Sequence, residues 1–296
     1  MIEHVSEITD GIYKVEREVP GLSDIFTVYF IKDAGNVIID PGPGILIPTV
    51  LATAKELGIT DFQYIIPTHV HMDHAGASGK ITSIFKQATV VTSSQGAKHI
   101  IDPSRLIRST RMSYGNDFEN TWGAIEPVPE SKIKVVRDGE KISVNGRELM
   151  FFEAPGHAPH HITIFDTKSG GLFCGEALGL IYNPDTQPLP AAPPPSFDLE
   201  VYINTMEKLR KLPLKFLFYA HGGMSQEPEK SISTVIENTR IVGEIILQTL
   251  KTSTEEEAAP RIDSYIQQHF GVNLGKYSLM NNIGGYSGYF KKKGLL

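Results

Sequence analysis

Short apolar runs separated by turn residues set the rhythm of this chain. Residues 12–17 and 25–33 are rich in Val, Ile, Phe, Tyr and Thr, and Val37-Ile38-Ile39 is a continuous apolar triplet; all three predict strands. Asp40-Pro41-Gly42-Pro43-Gly44 then breaks the ladder. Residues 47–57 are apolar at helical spacing and stop at Gly58. Residues 62–67 predict a strand, 78–85 a helix and 88–92 a strand, and 104–130 an irregular insertion with some helix. Strands return over 133–136, 141–144, 148–153 and 162–165, with Asn145-Gly146 as a hairpin turn. A strand over 172–174 precedes the proline-rich loop 188–195, which can form neither helix nor ladder. Residues 198–211 predict a helix and 216–219 a last strand, ending at Ala220-His221-Gly222-Gly223. Two helices should fill 228–270, with a charged break near Glu255-Glu256-Glu257. The order predicts an α/β body over residues 1–227 and a helical C-terminal extension over 228–296.

Composition narrows the function. The chain has 296 residues, is 41% hydrophobic and 21% charged, and carries a net charge of −6. These are ordinary globular values, and the sign disfavours nucleic acid, whose phosphates attract basic surfaces. The one cysteine, Cys174, excludes an internal disulfide and a cysteine-rich zinc finger. No apolar run is long enough to span a membrane, and Met1-Ile2-Glu3-His4 does not open a signal peptide. The expectation is a cytoplasmic protein acting on a small molecule, with a homodimer expected from base rates alone.

The histidines change the picture most. Of ten, seven fall in three windows: His69, His71 and His74; His157, His160 and His161; and His221. Each window follows a predicted strand. His69 and His71 are two apart, on one face of extended chain, and Asp73 adds a carboxylate. Borderline imidazole ligands with carboxylates suit zinc or iron. His4, His99 and His269 lie outside every window and read as surface or packing residues. Gly284-Gly285-Tyr286-Ser287-Gly288 is a weak phosphate-loop candidate, since it follows no clear strand and has no P-loop lysine. Lys291-Lys292-Lys293 reads as a solvated tail.

His69-Val70-His71-Met72-Asp73-His74 resembles the HxHxDH signature of the metallo-β-lactamase superfamily. Asp40 in Ile39-Asp40-Pro41-Gly42, Pro155-Gly156-His157-Ala158-Pro159-His160-His161, Phe173-Cys174-Gly175-Glu176 and Tyr219-Ala220-His221-Gly222 resemble its other motifs, in the family's order. The resemblance implies a four-layered αβ/βα sandwich with a binuclear site at one edge. It implies one metal on His69, His71 and His157, and a second on Asp73, His74 and His221. Position 176 would bridge them. The family usually has Asp there, and Glu176 adds a methylene, lengthening the reach by about 1.5 Å. Glu176 then bridges, binds one ion only, or swings out. Asp40 and His161 would support the ligands from behind.

Two divalent ions, zinc first and iron or manganese next, imply hydrolysis of an ester, thioester or lactone by a metal-bound hydroxide. Asp73 would accept a proton, and Tyr182 is a candidate oxyanion donor that reads more readily as a packing residue. Access would be shaped by the 104–130 insertion, the proline-rich loop and the C-terminal helices. The other readings are a mononuclear iron dioxygenase of the persulfide dioxygenase type and a non-catalytic metal-binding scaffold.

Overall fold

The computed structural model describes residues 5–19, 25–32, 35–183 and 186–296. One sheet has seven strands in sequential order: β1 (Ser6–Thr9), β2 (Ile12–Glu18), β3 (Ile25–Ile31), β4 (Val37–Ile39), β5 (Tyr64–Ile66), β6 (Thr89–Ser93) and β7 (Ile133–Val136). The first four pair antiparallel, and β4 to β7 pair parallel. The second sheet runs β13-β12-β11-β10-β9-β8. Its strands are β8 (Lys141–Val144), β9 (Arg147–Glu153), β10 (Ile162–Asp166), β11 (Gly171–Gly175), β12 (Phe216–Tyr219) and β13 (Met224–Ser225). Asn145 and Gly146 both take positive φ in the two-residue turn between β8 and β9, as the sequence predicted.

The period-two alternation of the strands decides the layers. Tyr29, Ile31, Val37, Ile39, Ile66 and Val91 of the first sheet meet Leu149, Phe151, Ile164, Phe173 and Phe218 of the second in one buried cluster. Val28, Phe30, Ile38, Ile65 and Val90 point the other way, onto α1 (Ile47–Glu56) and α3 (Ser78–Ile84). Leu172, Cys174, Leu217 and Tyr219 point outward from the second sheet. They are covered by α7 (Leu199–Leu209), α8 (Pro228–Leu250), α9 (Glu255–Phe270) and α10 (Gly275–Lys292). The result is the four-layered sandwich the resemblance implied, with a helical C-terminal region.

Three helical features depart from the sequence reading. Residues 94–101 form α4 (Ser94–Ile101), capped by Ser93 Oγ, which accepts from Gly96 N at 3.1 Å. The insertion is more regular than expected, with α5 (Ser104–Tyr114) and α6 (Phe118–Trp122). The acidic triplet is the first turn of α9 and not a break: Thr254 and Glu257 form a reciprocal cap there. Carboxylates in a first turn complement the helix dipole. The remaining short helix, α2 (Met72–Ala75), lies inside the histidine loop.

One minor reading is corrected, and a second gains detail. Gly284-Gly285-Tyr286-Ser287-Gly288 is no phosphate loop but the interior of α10, where Gly285, Tyr286 and Ser287 are buried. Lys291, Lys292 and Lys293 are exposed, as expected, and each faces a carboxylate: Lys291 Glu255 at 3.2 Å, Lys292 Asp198 at 4.0 Å and Lys293 Glu200 at 2.5 Å. Among the described residues, no helix is long and apolar enough to cross a membrane.

Candidate metal centre

Each histidine window follows a strand and sits at its carboxyl end. Asp40 follows β4 and the His69–His74 loop follows β5; His157, Glu176 and His221 follow β9, β11 and β12. The parallel pairing of β4 with β5 and of β11 with β12 brings these ends to one edge of the sandwich. The two sheets are stitched together there. Ile162 N donates to Thr68 O at 2.8 Å, Thr27 N to Ala220 O at 2.8 Å, and Gly222 N to Ile25 O at 3.2 Å.

Three ring nitrogens converge. His69 Nε2 lies 2.9 Å from His71 Nδ1, and His157 Nε2 lies 3.2 Å from both. The far side of two of these rings accounts for their protons. His157 Nδ1 lies 3.0 Å from the carbonyl oxygen of Ala191, which can only accept. His69 Nδ1 lies 3.2 Å from Thr68 Oγ1, whose own proton serves Asp40, 3.0 Å away. In neutral rings carrying those Nδ1 protons, the two Nε2 atoms face each other with their lone pairs. Lone pairs at this distance repel unless a cation lies between them. Adjacent ligands of a tetrahedral ion with metal–nitrogen bonds of about 2.0–2.1 Å stand roughly 3.3 Å apart, so the nitrogens fit such an ion.

A second set adjoins the first. Asp73 Oδ2 lies 3.4 Å from His74 Nε2 and 3.5 Å from His221 Nε2. Glu176 Oε2 reaches both sets, at 2.9 Å from His157 Nε2, 3.3 Å from His69 Nε2 and 3.4 Å from His74 Nε2. Of the three dispositions the extra methylene left open, this carboxylate lies between the two groups. Its strand end comes close because residue 175 is glycine. Gly175 has φ +53°, and a Cβ there would meet Thr68 Oγ1 at 2.5 Å and His161 Nε2 at 2.7 Å.

The surroundings set the charges. Burial, then the neighbouring His74 and His71, push the His69 imidazole well below its usual pKa. Burial and His157 lower His71 to about 4. Both rings are thus neutral, with lone pairs available, near pH 7. Burial opposes ionisation of Glu176, but His157, His69 and His74 hold it well below the usual carboxylate range. Asp73 is also held low against its burial, by His74 and His221. His74 goes the other way: burial lowers it, but Asp73 and Asp40 raise it well above the ordinary value.

Asp40 and His161 both lie against the cluster. Asp40 Oδ1 accepts from Thr68 N at 2.7 Å and stands 3.3 Å from His74 Nδ1. His161 Nε2 accepts from the backbone N–H of Glu176 at 3.2 Å. His160 stands outside both sets, its ring stacked 6.1 Å from that of His69. Tyr182 is 3% exposed and packed within the apolar cluster under the C-terminal helices. Cys174 is buried, with Sγ directed at Phe218 O. His99 and His269 are in neither set, and His4 lies outside the described residues. Sequence reasoning missed Thr68, Ala191 and Tyr202. Thr68 adjoins the histidine motif, whereas Ala191 acts through its backbone and Tyr202 from a helix, so neither leaves a motif.

The family model of the metallo-beta-lactamase superfamily matches residues 24–221. The chain belongs to this superfamily. Among its relatives is the metallo-beta-lactamase fold-containing protein ST1585 of Sulfurisphaera tokodaii, 25% identical over 72% of this chain and 79% of that protein. The structure of ST1585 superposes with a TM-score of 0.67, covering 96% of this chain and all of the other at 22% identity. The probable metallo-hydrolase YqjP of Bacillus subtilis is 26% identical over 77% of this chain and 76% of its own. Hydroxyacylglutathione hydrolase of Salmonella paratyphi A is 26% identical over 55% of this chain, a match that spans half of that enzyme. The superfamily thus includes metal-dependent hydrolases, and this member carries a cluster of His, Asp and Glu able to hold a metal ion.

Proposed function

We propose that the chain is a binuclear metal-dependent hydrolase of a small-molecule ester, thioester or lactone. The observation that carries this reading is the position of Glu176 Oε2, within 2.9–3.4 Å of nitrogens from both ligand sets. His69, His71 and His157 would hold one divalent ion, and Asp73, His74 and His221 the other, with Glu176 shared. Neutral imidazoles with few carboxylates favour zinc, ahead of iron or manganese. Such ions supply a water that is ionised near neutral pH and a Lewis acid for the substrate's carbonyl oxygen.

The residues of the chain do the rest. Asp73 is the more exposed of the two site carboxylates, its side chain 21% exposed against 7% for Glu176. Its ionised Oδ2 would orient the attacking water and take its proton. Asp40, through Thr68 and His74, holds the histidine loop rigid, so no reorganisation is needed during the reaction. The one thiol of the chain, Cys174, does not compete as a nucleophile, because it is buried and that burial pushes its pKa up. The thioester option draws on the likeness to hydroxyacylglutathione hydrolase.

Elemental analysis of the purified chain, together with turnover on a panel of esters, thioesters and lactones, tests this. Two metals per chain and turnover are expected, with loss of both metal and turnover in His69→Ala and His157→Ala. Unchanged metal content in those variants would refute the reading. A single iron with oxygen uptake on a persulfide would replace it by a dioxygenase.

A further inference from the structure

The orientation of His157 rests on one carbonyl, that of Ala191. Ala191 lies in the 188–195 segment, which belongs to no helix and carries only an isolated bridge from Leu189 to Leu180. A loop of that kind is soft unless something outside it fixes each peptide. Here three side chains do so, all from the helices that cover the second sheet. Asn238 Nδ2 on α8 donates to Pro188 O at 2.9 Å. The buried Tyr202 hydroxyl on α7 accepts from Ala191 N at 3.5 Å and Gly179 N at 3.0 Å, and donates to Glu176 O at 2.7 Å. Asn282 Oδ1 on α10 accepts from Ala192 N at 3.2 Å, while its Nδ2 donates to Ser278 O at 2.9 Å, which fixes the amide's orientation.

The glycine pair of α10 makes that last contact possible. A Cβ at Gly285 would lie 1.9 Å from Ala192 O, so only glycine lets α10 approach this backbone. The peptide unit that carries the Ala191 carbonyl is therefore held at its own N–H, that of Ala192, by Asn282, and the preceding peptide is held at Ala191 N by Tyr202. Tyr202 also touches the backbone of Glu176, so one phenol joins the supports of two ligands.

We propose that Tyr202 and Asn282 are positioning residues of the metal centre, through which the C-terminal helical layer sets the orientation of His157. The inference rests on the reading of His157 as a ligand. Direct partners of metal-bound histidines are worth about 10–100-fold in metal affinity. Residues acting one bond further out should be worth about tenfold, at the low end of that range.

The test uses the full chain loaded with cobalt(II), read by its visible ligand-field spectrum and by competition with a chromophoric chelator. Tyr202→Phe keeps the ring and removes the hydroxyl. Asn282→Leu keeps the volume and removes the acceptor, whereas Asn282→Asp keeps the acceptor. The first two should bind cobalt about tenfold more weakly at one of the two sites and shift its spectrum. Asn282→Asp, which keeps the acceptor for Ala192 N and loses the donor to Ser278 O, should recover a measurable part of both. Wild-type spectra and affinities in Tyr202→Phe and Asn282→Leu would overturn the positioning role. So would a loss that Asn282→Asp shares and that follows thermal stability alone. His157→Ala separates the two levels. If it loses a metal while Asn282→Leu does not, the positioning role fails alone; if it keeps both metals, the ligand reading fails and the positioning role with it.

Discussion

Removing the carboxylate of Asp40 should weaken one metal site and, depending on what replaces it, the fold. The side chain is 4% exposed, and its Oδ1 serves both the buried N–H of Thr68 and the Nδ1 face of His74. Asp40→Ala leaves the Thr68 N–H unpaired, at a cost of about 1–3 kcal/mol. Position 40 has φ +46°, where alanine costs a further 1–2 kcal/mol or so that Asp and Asn largely avoid. The total is on the order of 2–5 kcal/mol, and each kcal/mol lowers Tm by about 2–4 °C in chains approaching this size. Asp40→Asn keeps the shape, the tolerance of positive φ and an acceptor for Thr68 N. It should unfold within about 1 kcal/mol of the parent, the usual range for a contact-preserving change. It nevertheless removes the charge beside His74, so affinity at the Asp73–His74–His221 set should fall about 10–100-fold. Thermal unfolding and metal titration of both variants provide the check. Wild-type affinities at both sets in Asp40→Asn, or a wild-type Tm in Asp40→Ala, would refute this account of Asp40.

Other expectations lie further from the site. Arg147 and Asp166 form a bidentate pair, at 2.8 and 2.7 Å, with side chains 2% and 0% exposed. Asp166→Ala leaves a buried guanidinium without its carboxylate and should cost about 3–5 kcal/mol in urea unfolding, with metal content per folded chain unchanged; a loss below 1 kcal/mol would contradict the buried pairing. The C-terminal helices should loosen in acid. Ser287 and Lys291 lower the pKa of Glu255, and Lys293 lowers that of Glu200. Depressed carboxylates stabilise above the unfolded value of about 4.3 and lose that contribution as pH falls through the folded value. Circular dichroism of Glu255→Gln against the parent should therefore differ at pH 6 and converge below pH 4; a difference that persists in acid would contradict the assignment.

The candidate ligands that the structure brings together could be read from the sequence, and the groups around them only in part. His69, His71, Asp73 and His74 stand within six residues, and His157 and His221 each follow an apolar run that ends in turn residues. Strand ends and spacing suffice to place such residues. Glu176 was visible as a departure from the expected Asp, but its disposition depends on how closely β11 approaches Thr68. That distance is set by Gly175 and appears only in three dimensions. Ala191 supports His157 with its backbone, so no residue type there signals the role. α10 falls within the helical extension expected over 228–296, but its glycine run read as a loop signal. Glycine costs helix propensity, yet Gly285 is required by the contact with Ala192 O, so packing overrides propensity there. The acidic triplet misled for a similar reason: three carboxylates read as a break, but after a capping threonine they open a helix.

The division of ligands between the two sheets gives metal binding a structural consequence. His69, His71, Asp73 and His74 belong to the loop after β5, whereas His157, Glu176 and His221 come from strands of the other sheet. Neither sheet alone supplies either ligand set. Without a cation, the bare nitrogens of His69 and His157 face each other 3.2 Å apart at the seam. An ion there would replace that repulsion with bonds across the seam, so it would act as a cross-link between the layers as well as a cofactor. A ligand at 1,000 times its Kd adds about 4 kcal/mol of stability, and a chelator should remove it. Treatment with a chelator is thus expected to lower Tm by several degrees and to raise amide exchange first in residues 68–75, 155–161 and 220–223. The sheet centres, whose apolar faces are buried whether or not metal is bound, should stay protected. Uniform loss of protection would point to global destabilisation, and an unchanged Tm after verified metal removal would show that the ions do not join the two sheets.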